Sequence, residues 1–274
     1  MTLVLATNTG GKVKYCTDSR LTFRAGATNL YADVGVKLFT IPIKVSNNGT
    51  VKYNGKWGMA IAGSTTSSYI LKEITQQILS DIELVKQPDD FAKNICDYVL
   101  HIHKKLSEQL LPILRENGKS FFILGGYCPN QKKIRTFGFE YNDTTAPPEP
   151  TFEEINIQPS TIIMFGSGKQ AAQEHRDWTS WSIIKVMEKV IVDGIEPSVG
   201  GKIQYGEFND SNEFELTQLI DMNKDGDTWK TTMTLNVFDY YKDNFGTQMF
   251  SPNLKNIASH PENIDRFAAE QKND

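Results

Sequence analysis

The chain lacks the features that mark several large classes of protein. No apolar run approaches the roughly 18 residues of a membrane-spanning helix. Met1 is not followed by a secretory leader; it leads directly into Thr2-Leu3-Val4-Leu5-Ala6 and then the turn Asn8-Thr9-Gly10-Gly11. Cysteine is scarce: Cys16, Cys96 and Cys128 are odd in number and form no CxxC pair, so neither a disulfide framework nor a zinc site is indicated. Basic residues are scattered and the formal net charge is −4, which argues against a nucleic-acid partner. There is no internal repeat and no low-complexity tract. What remains is a 274-residue chain, expected to be soluble and cytoplasmic, with no membrane partner and room for one large domain or two small ones.

Hydrophobic spacing divides the chain into runs of strands and runs of helices. Residues 2–7 and 13–18 flank a Gly-Gly turn and read as a β-hairpin. Lys37 to Val45 and Trp57 to Ala62 form a second pair across Ser46-Asn47-Asn48-Gly49. Ile70, Leu71, Ile74, Ile78, Ile82 and Val85 then recur at helical spacing up to Pro88-Asp89-Asp90, which also caps a second helix from Phe91 towards Gly118. Strands return at Phe121–Tyr127, Lys133–Glu140, Phe152–Ile157 and Thr161–Phe165. A third helical stretch begins near Ser167-Gly168, and strands at Lys202–Phe208 and Glu213–Ile220 follow. Segregated runs of this kind point to sheets with helical layers outside, not to alternating βα units.

Several residues have the chemistry of a reaction centre. Removal of Met1 leaves Thr2 with both a hydroxyl and an α-amine, and an N-terminal threonine carries its own base. The amine's reference pKa of roughly 7.7–8.0 lets it accept a proton near neutral pH. Asp18 stands where the second strand runs into a loop, a position that equally suits a turn residue. Lys37 is a lone cation at the start of an apolar strand; pointed inward, it needs a carboxylate, and Asp18 is the nearest candidate. Gly63, in Ala60-Ile61-Ala62-Gly63-Ser64, ends a strand before a helix, where a backbone N–H can meet an oxyanion. Ser167, in Gly166-Ser167-Gly168, sits at a similar junction; in each case a tight turn with a serine N-cap is the plainer explanation.

Taken together, these segments resemble the proteasome-type N-terminal nucleophile hydrolases: the 20S β-subunits, the HslV peptidase and the ancestral bacterial proteasome-like group. Thr2 and Asp18 are sixteen residues apart, as are that family's nucleophile and first aspartate. Asp18-Ser19-Arg20 matches its Asp-Ser-Arg, and Lys37-Leu38-Phe39 its lysine after a loop about three residues longer. Met59 to Ser64 resembles the oxyanion segment, Gly166-Ser167-Gly168 the Gly-Ser-Gly, and Val199-Gly200-Gly201 the Ser-Gly-Gly. The likeness spans about residues 2–209 and departs at the late acidic site. Glu196-Pro197-Ser198-Val199-Gly200 replaces Asp-x-x-Ser-Gly, so the serine is either lost to Val199 or displaced to Ser198. In a second register Met1-Thr2 aligns with the family's Thr-Thr and leaves no nucleophile.

The resemblance implies a four-layer αββα sandwich of the α+β class over residues 1–221, with 222–274 as an extension packed on it. It implies threonine-type hydrolysis of amide bonds, peptides foremost, with Thr2, Asp18, Lys37, Gly63, Ser167 and Glu196 at the site. It implies no cofactor or metal, and self-association into a ring or stacked rings. An inactive structural subunit and a small-molecule amidase of the same fold remain open readings. Three other patterns carry less. Asp221 to Gly226 resembles half an EF-hand loop, but position twelve is Thr232, so a polar turn is expected. His101 and His103 fall on different faces of a helix, and Trp178 and Trp181 read as packing residues.

Overall fold

Three hairpins account for much of the first 63 residues. The computed structural model describes residues 2–25, 28–145, 147–174, 182–225, 228–235, 237–239 and 257–259. Strands β1 (Leu3–Thr9) and β2 (Lys12–Thr17) turn through Gly10 and Gly11. Strands β3 (Leu21–Ala25) and β4 (Thr28–Ala32) form a separate two-stranded ribbon, and β5 (Leu38–Asn47) pairs with β6 (Thr50–Gly63). Ser64 caps α1 (Thr65–Leu79) by accepting from the Ser67 amide. After β7 (Ile82–Glu83), Asp90 caps α2 (Phe91–Leu114) through the Lys93 amide. Next come β8 (Ser120–Cys128), β9 (Lys133–Asn142), β10 (Glu149–Ile155) and β11 (Ile162–Gly166), then the short α3 (Lys169–Gln173) and α4 (Ile183–Asp193). The described chain ends in β12 (Gln204–Phe208), β13 (Phe214–Asp225), β14 (Thr228–Leu235), β15 (Phe238–Asp239) and β16 (Ile257–Ser259).

One sheet runs β11-β1-β2-β12-β13-β14-β15, with β16 beside β13; the other runs β10-β9-β8-β6-β5-β7. Side chains alternate between the faces of a strand, so an unbroken apolar run requires cover on both. Leu3 and Leu5 cluster with Ile183, Ile184 and Met187, whereas Val4 and Ala6 cluster with Tyr15, Leu38 and Phe214. In β6, Trp57, Met59 and Ile61 face Leu71, Ile95 and Val99 of α1 and α2, while Ala60 and Ala62 face the first sheet. The result is three cores between four layers, the expected αββα sandwich. Fully buried side chains such as Trp57 and Phe139 each contribute about 1.5–3 kcal/mol through burial alone.

Two local expectations need correction. The first helix stops at Leu79, not Val85, because Ile82 and Glu83 leave it to pair in parallel with Val45 and Ser46 at the sheet edge. Val85 continues the helical spacing by coincidence and is 97% exposed. Residues 221–225 are not a polar turn; they lie in β13, with Asp221 opposite Thr232 and Asp225 opposite Thr228. The helical stretch after Ser167 contains α3 and α4, while Trp178 and Trp181 lie outside the described residues.

The two histidines of α2 do diverge: His101 is exposed and His103 is buried. His103 Nε2 sits 3.0 Å from Ser120 Oγ and 3.1 Å from Tyr141 Oη. Burial without a carboxylate partner pushes its pKa down to about 4. A depressed folded pKa stabilises fully above the unfolded value near 6.5, and the contribution is lost as pH falls through about 4. Urea unfolding at pH 7 and pH 4.5 should therefore show that about 2–3 kcal/mol of the wild-type loss is missing from His103→Gln. Equal losses in the two proteins would place the acid sensitivity elsewhere.

Candidate active site

Strand ends converge at one end of the two sheets. Leu3 pairs with Gly166 and Val4 with Thr17, which brings Thr2 beside Ser167 on one flank and Asp18 on the other. In the facing sheet Leu38 pairs with Ala60, and the Ile61 amide donates to the Lys37 carbonyl at 2.9 Å. Lys37 and Gly63 therefore reach the same edge from the opposite layer. Thr2, Lys37 and Gly63 line one cleft, walled by Leu21, Thr65 and Tyr69. Its enclosed part measures about 10 Å³, the scale of one water molecule, so any larger ligand must lie across its mouth.

Asp18 organises the first half of the site. It is 0% exposed, and its Oδ1 accepts from the Leu3 amide at 3.0 Å. Its Oδ2 accepts from Lys37 Nζ and the Arg20 amide, both at 3.0 Å, and from the Gly200 amide at 3.3 Å. A buried carboxylate is sustained by such a set of donors. Lys37 is itself buried. Desolvation pushes its ammonium below the ordinary lysine range, and Asp18 acts against that fall.

A hydrogen-bonded chain organises the second half. The Thr2 nitrogen donates to Ser167 Oγ at 3.2 Å, and Ser167 Oγ lies 2.9 Å from Ser198 Oγ. Ser198 Oγ donates to Glu196 Oε1 at 2.6 Å. Because the Ser198 proton is spent on Glu196, Ser167 donates to Ser198 and its lone pair faces Thr2. Every donor thus runs from the Thr2 nitrogen towards the carboxylate. Glu196 reaches Thr2 through two hydroxyls, and the hydroxyl absent at Val199 is found at Ser198. The two-residue step from Glu196 to Ser198 was its signal in the sequence.

Two glycines make the approach of these segments feasible. Gly166 has φ 88°, and a Cβ there would lie 2.0 Å from the Thr2 carbonyl oxygen. Gly63 has φ 79°, and a Cβ would meet the Phe121 ring at 2.7 Å and the Lys119 carbonyl at 2.8 Å. Arg20 is bidentate to Asp33 at 2.7 and 2.9 Å and donates to the Pro197 carbonyl at 3.1 Å. It ties the base of the β3–β4 ribbon to the loop carrying Glu196 and Ser198. Among the described residues, no cluster of His, Cys, Asp and Glu has the arrangement of a metal site.

No family model matches the sequence. No curated protein matches it either. Solved structures do. The Gly-1 mutant of Anbu from Hyphomicrobium sp. strain MC1 aligns over 79% of this chain and 85% of its own, with a TM-score of 0.51 at 15% identity. A helical assembly of the Anbu complex from Pseudomonas aeruginosa aligns over 78% and 85%, with a TM-score of 0.52 at 15% identity. Anbu is an ancestral bacterial proteasome-like protein. At this identity the likeness is one of fold: the chain shares the layered α+β architecture of these Anbu structures.

Replacing Lys37 by Met leaves the Asp18 charge buried without its cation, a change that costs about 3–5 kcal/mol. Lys44→Met removes an exposed partner of Asp81 and should leave stability near wild type. Urea titrations of both variants check this, and equal small losses would show that the Asp18–Lys37 pair is not buried in solution.

Proposed function

We propose that the protein is a threonine hydrolase of the proteasome-like N-terminal nucleophile family, active on amide bonds, peptides foremost, once Met1 has been removed. One observation carries this reading: the cleft joins an Asp18-bound Lys37 at the Thr2 side chain to a donor chain that leads the Thr2 nitrogen to Glu196. The likeness to Anbu supports it at the level of fold.

In this mechanism Thr2 Oγ attacks the substrate carbonyl carbon while the α-amine takes the hydroxyl proton. Lys37 stabilises the alkoxide as it forms, and Asp18 keeps Lys37 charged. The Ser167–Ser198–Glu196 chain favours the new ammonium, because each donor points away from it towards a carboxylate. The carbonyl oxygen gains negative charge against the Gly63 N–H. The C–N bond then breaks and the leaving amine takes the proton from the ammonium, leaving an ester on Thr2. Water adds to the ester and gives its proton to the α-amine. The tetrahedral adduct releases the acid, and Thr2 Oγ regains its proton.

Thr2→Ala should lose hydrolysis of a peptidyl-aminocoumarin substrate by at least a hundredfold while melting as the wild type does, since a hydroxyl and a methyl leave the end of a strand. The wild-type rate should rise with pH through an apparent pKa near roughly 7.7–8.0 as the amine loses its proton, because the Lys37 cation lowers that pKa while the Ser167 chain raises it. An uncleavable residue ahead of Thr2 turns that amine into an amide and should abolish the rate. Full activity in either altered protein would exclude the N-terminal mechanism.

Self-association into a ring or stacked rings belongs to the same proposal. One Anbu structure is a helical assembly of that complex. On this chain Phe23, Leu30 and Val34 are at least half exposed on and beside the β3–β4 ribbon, a surface suited to a neighbouring copy. Multi-angle light scattering should report an oligomer, and a stable monomer would refute that part. The cytoplasm is the proposed compartment; all three cysteines are unpaired and buried, as a reducing environment favours.

A further inference from the structure

Lys37 is held at both ends, and one of the holds comes from a residue outside the reaction itself. Gln204 opens β12 and pairs with Thr17, the residue before Asp18. Its side chain is buried and reaches across to the facing sheet. There Oε1 accepts from the Lys37 amide at 2.9 Å and the Leu38 amide at 3.2 Å, while Nε2 donates to the Gly35 carbonyl at 2.6 Å. The primary amide thus bonds the peptide groups that lead into β5. With the Lys37 carbonyl bound by the Ile61 amide, the Lys37 peptide is fixed from two sides.

We infer that Gln204 is the positioning residue for Lys37, setting the backbone from which the ammonium reaches Asp18 and faces the Thr2 cleft. The inference rests on the hydrolase reading for its catalytic meaning, but the placement of Lys37 has a readout of its own. An amide suits this place for a physical reason. It offers an acceptor for two N–H groups and a donor for one carbonyl, without adding a charge beside the Asp18–Lys37 pair. Methionine matches its volume and offers none of these bonds. Glutamate keeps the acceptor and loses the donor.

Two measurements on Gln204→Met and Gln204→Glu test the assignment. The first is kcat and KM on a peptidyl-aminocoumarin substrate. The second is acetylation of Lys37 by N-hydroxysuccinimide acetate, read by mass spectrometry against Lys119, which is also buried and whose ammonium is held by Glu116 and Asp143. Gln204→Met should lower kcat at least tenfold with KM within twofold, and raise Lys37 labelling at least tenfold relative to Lys119. Gln204→Glu, which loses the donor and adds a buried charge, should shift both in the same direction. Unchanged kcat and labelling in folded Gln204→Met, or equal rises at both lysines, would overturn the inference. If Gln204→Met does not fold, unchanged kcat and labelling in Gln204→Glu overturn it instead. Full activity in Thr2→Ala would sink the hydrolase reading alone, and Lys37 labelling would still decide what Gln204 does.

Discussion

A carboxylate with no exposure to solvent has to be answered by whatever donors the fold can bring to it, and Asp18 is that carboxylate here. Its four donors come from four places: β1, its own loop, the approach to β5, and the glycine-rich turn before β12. Each is therefore pulled to one point. Thr2 takes its position from the Leu3 amide, Lys37 from its ammonium, and the Glu196–Ser198 loop from Gly200. A hydrophobic pair of similar shape serves stability at least as well as a buried ion pair. Charge at this point fits a reaction better than it fits packing.

The sandwich makes the convergence feasible. Strands β1 and β2 present Thr2 and Asp18 from one sheet, while β5 and β6 present Lys37 and Gly63 from the other. The core between the sheets, built on Val4, Ala6, Leu38, Ala60 and Ala62, brings these edges together. Small residues at 6, 60 and 62 let the layers approach closely beside the site. The two halves of the site meet at Thr2. Lys37, bound to Asp18, lines the cleft together with Thr2, and the Ser167 chain reaches the Thr2 nitrogen.

Much of this was legible in the sequence for identifiable reasons. Apolar runs such as Leu3–Ala6 and Trp57–Ala62 announce strands covered on both faces, and Asp90 and Ser64 announce helix starts. Thr2 and Asp18 could be linked because a hairpin of fixed length joins them. The β3–β4 ribbon went unseen because Phe23, Leu30 and Tyr31 stand in solvent and give no burial pattern. Contacts between strands far apart in the chain were also silent. Nothing local in Gln204 reports that its amide will meet Lys37, 167 positions away. Ser198 was readable as a displaced hydroxyl, yet its place between Ser167 and Glu196 depends on the turn that Arg20 and Asp18 hold.

Whether Thr2 becomes an N-terminal nucleophile is read by intact mass spectrometry before and after exposure to a peptide vinyl sulfone. The account predicts a purified protein lighter by one methionine, which then gains one adduct mapped to Thr2, with none in Lys37→Met. A protein that keeps Met1 and takes up no adduct would contradict it.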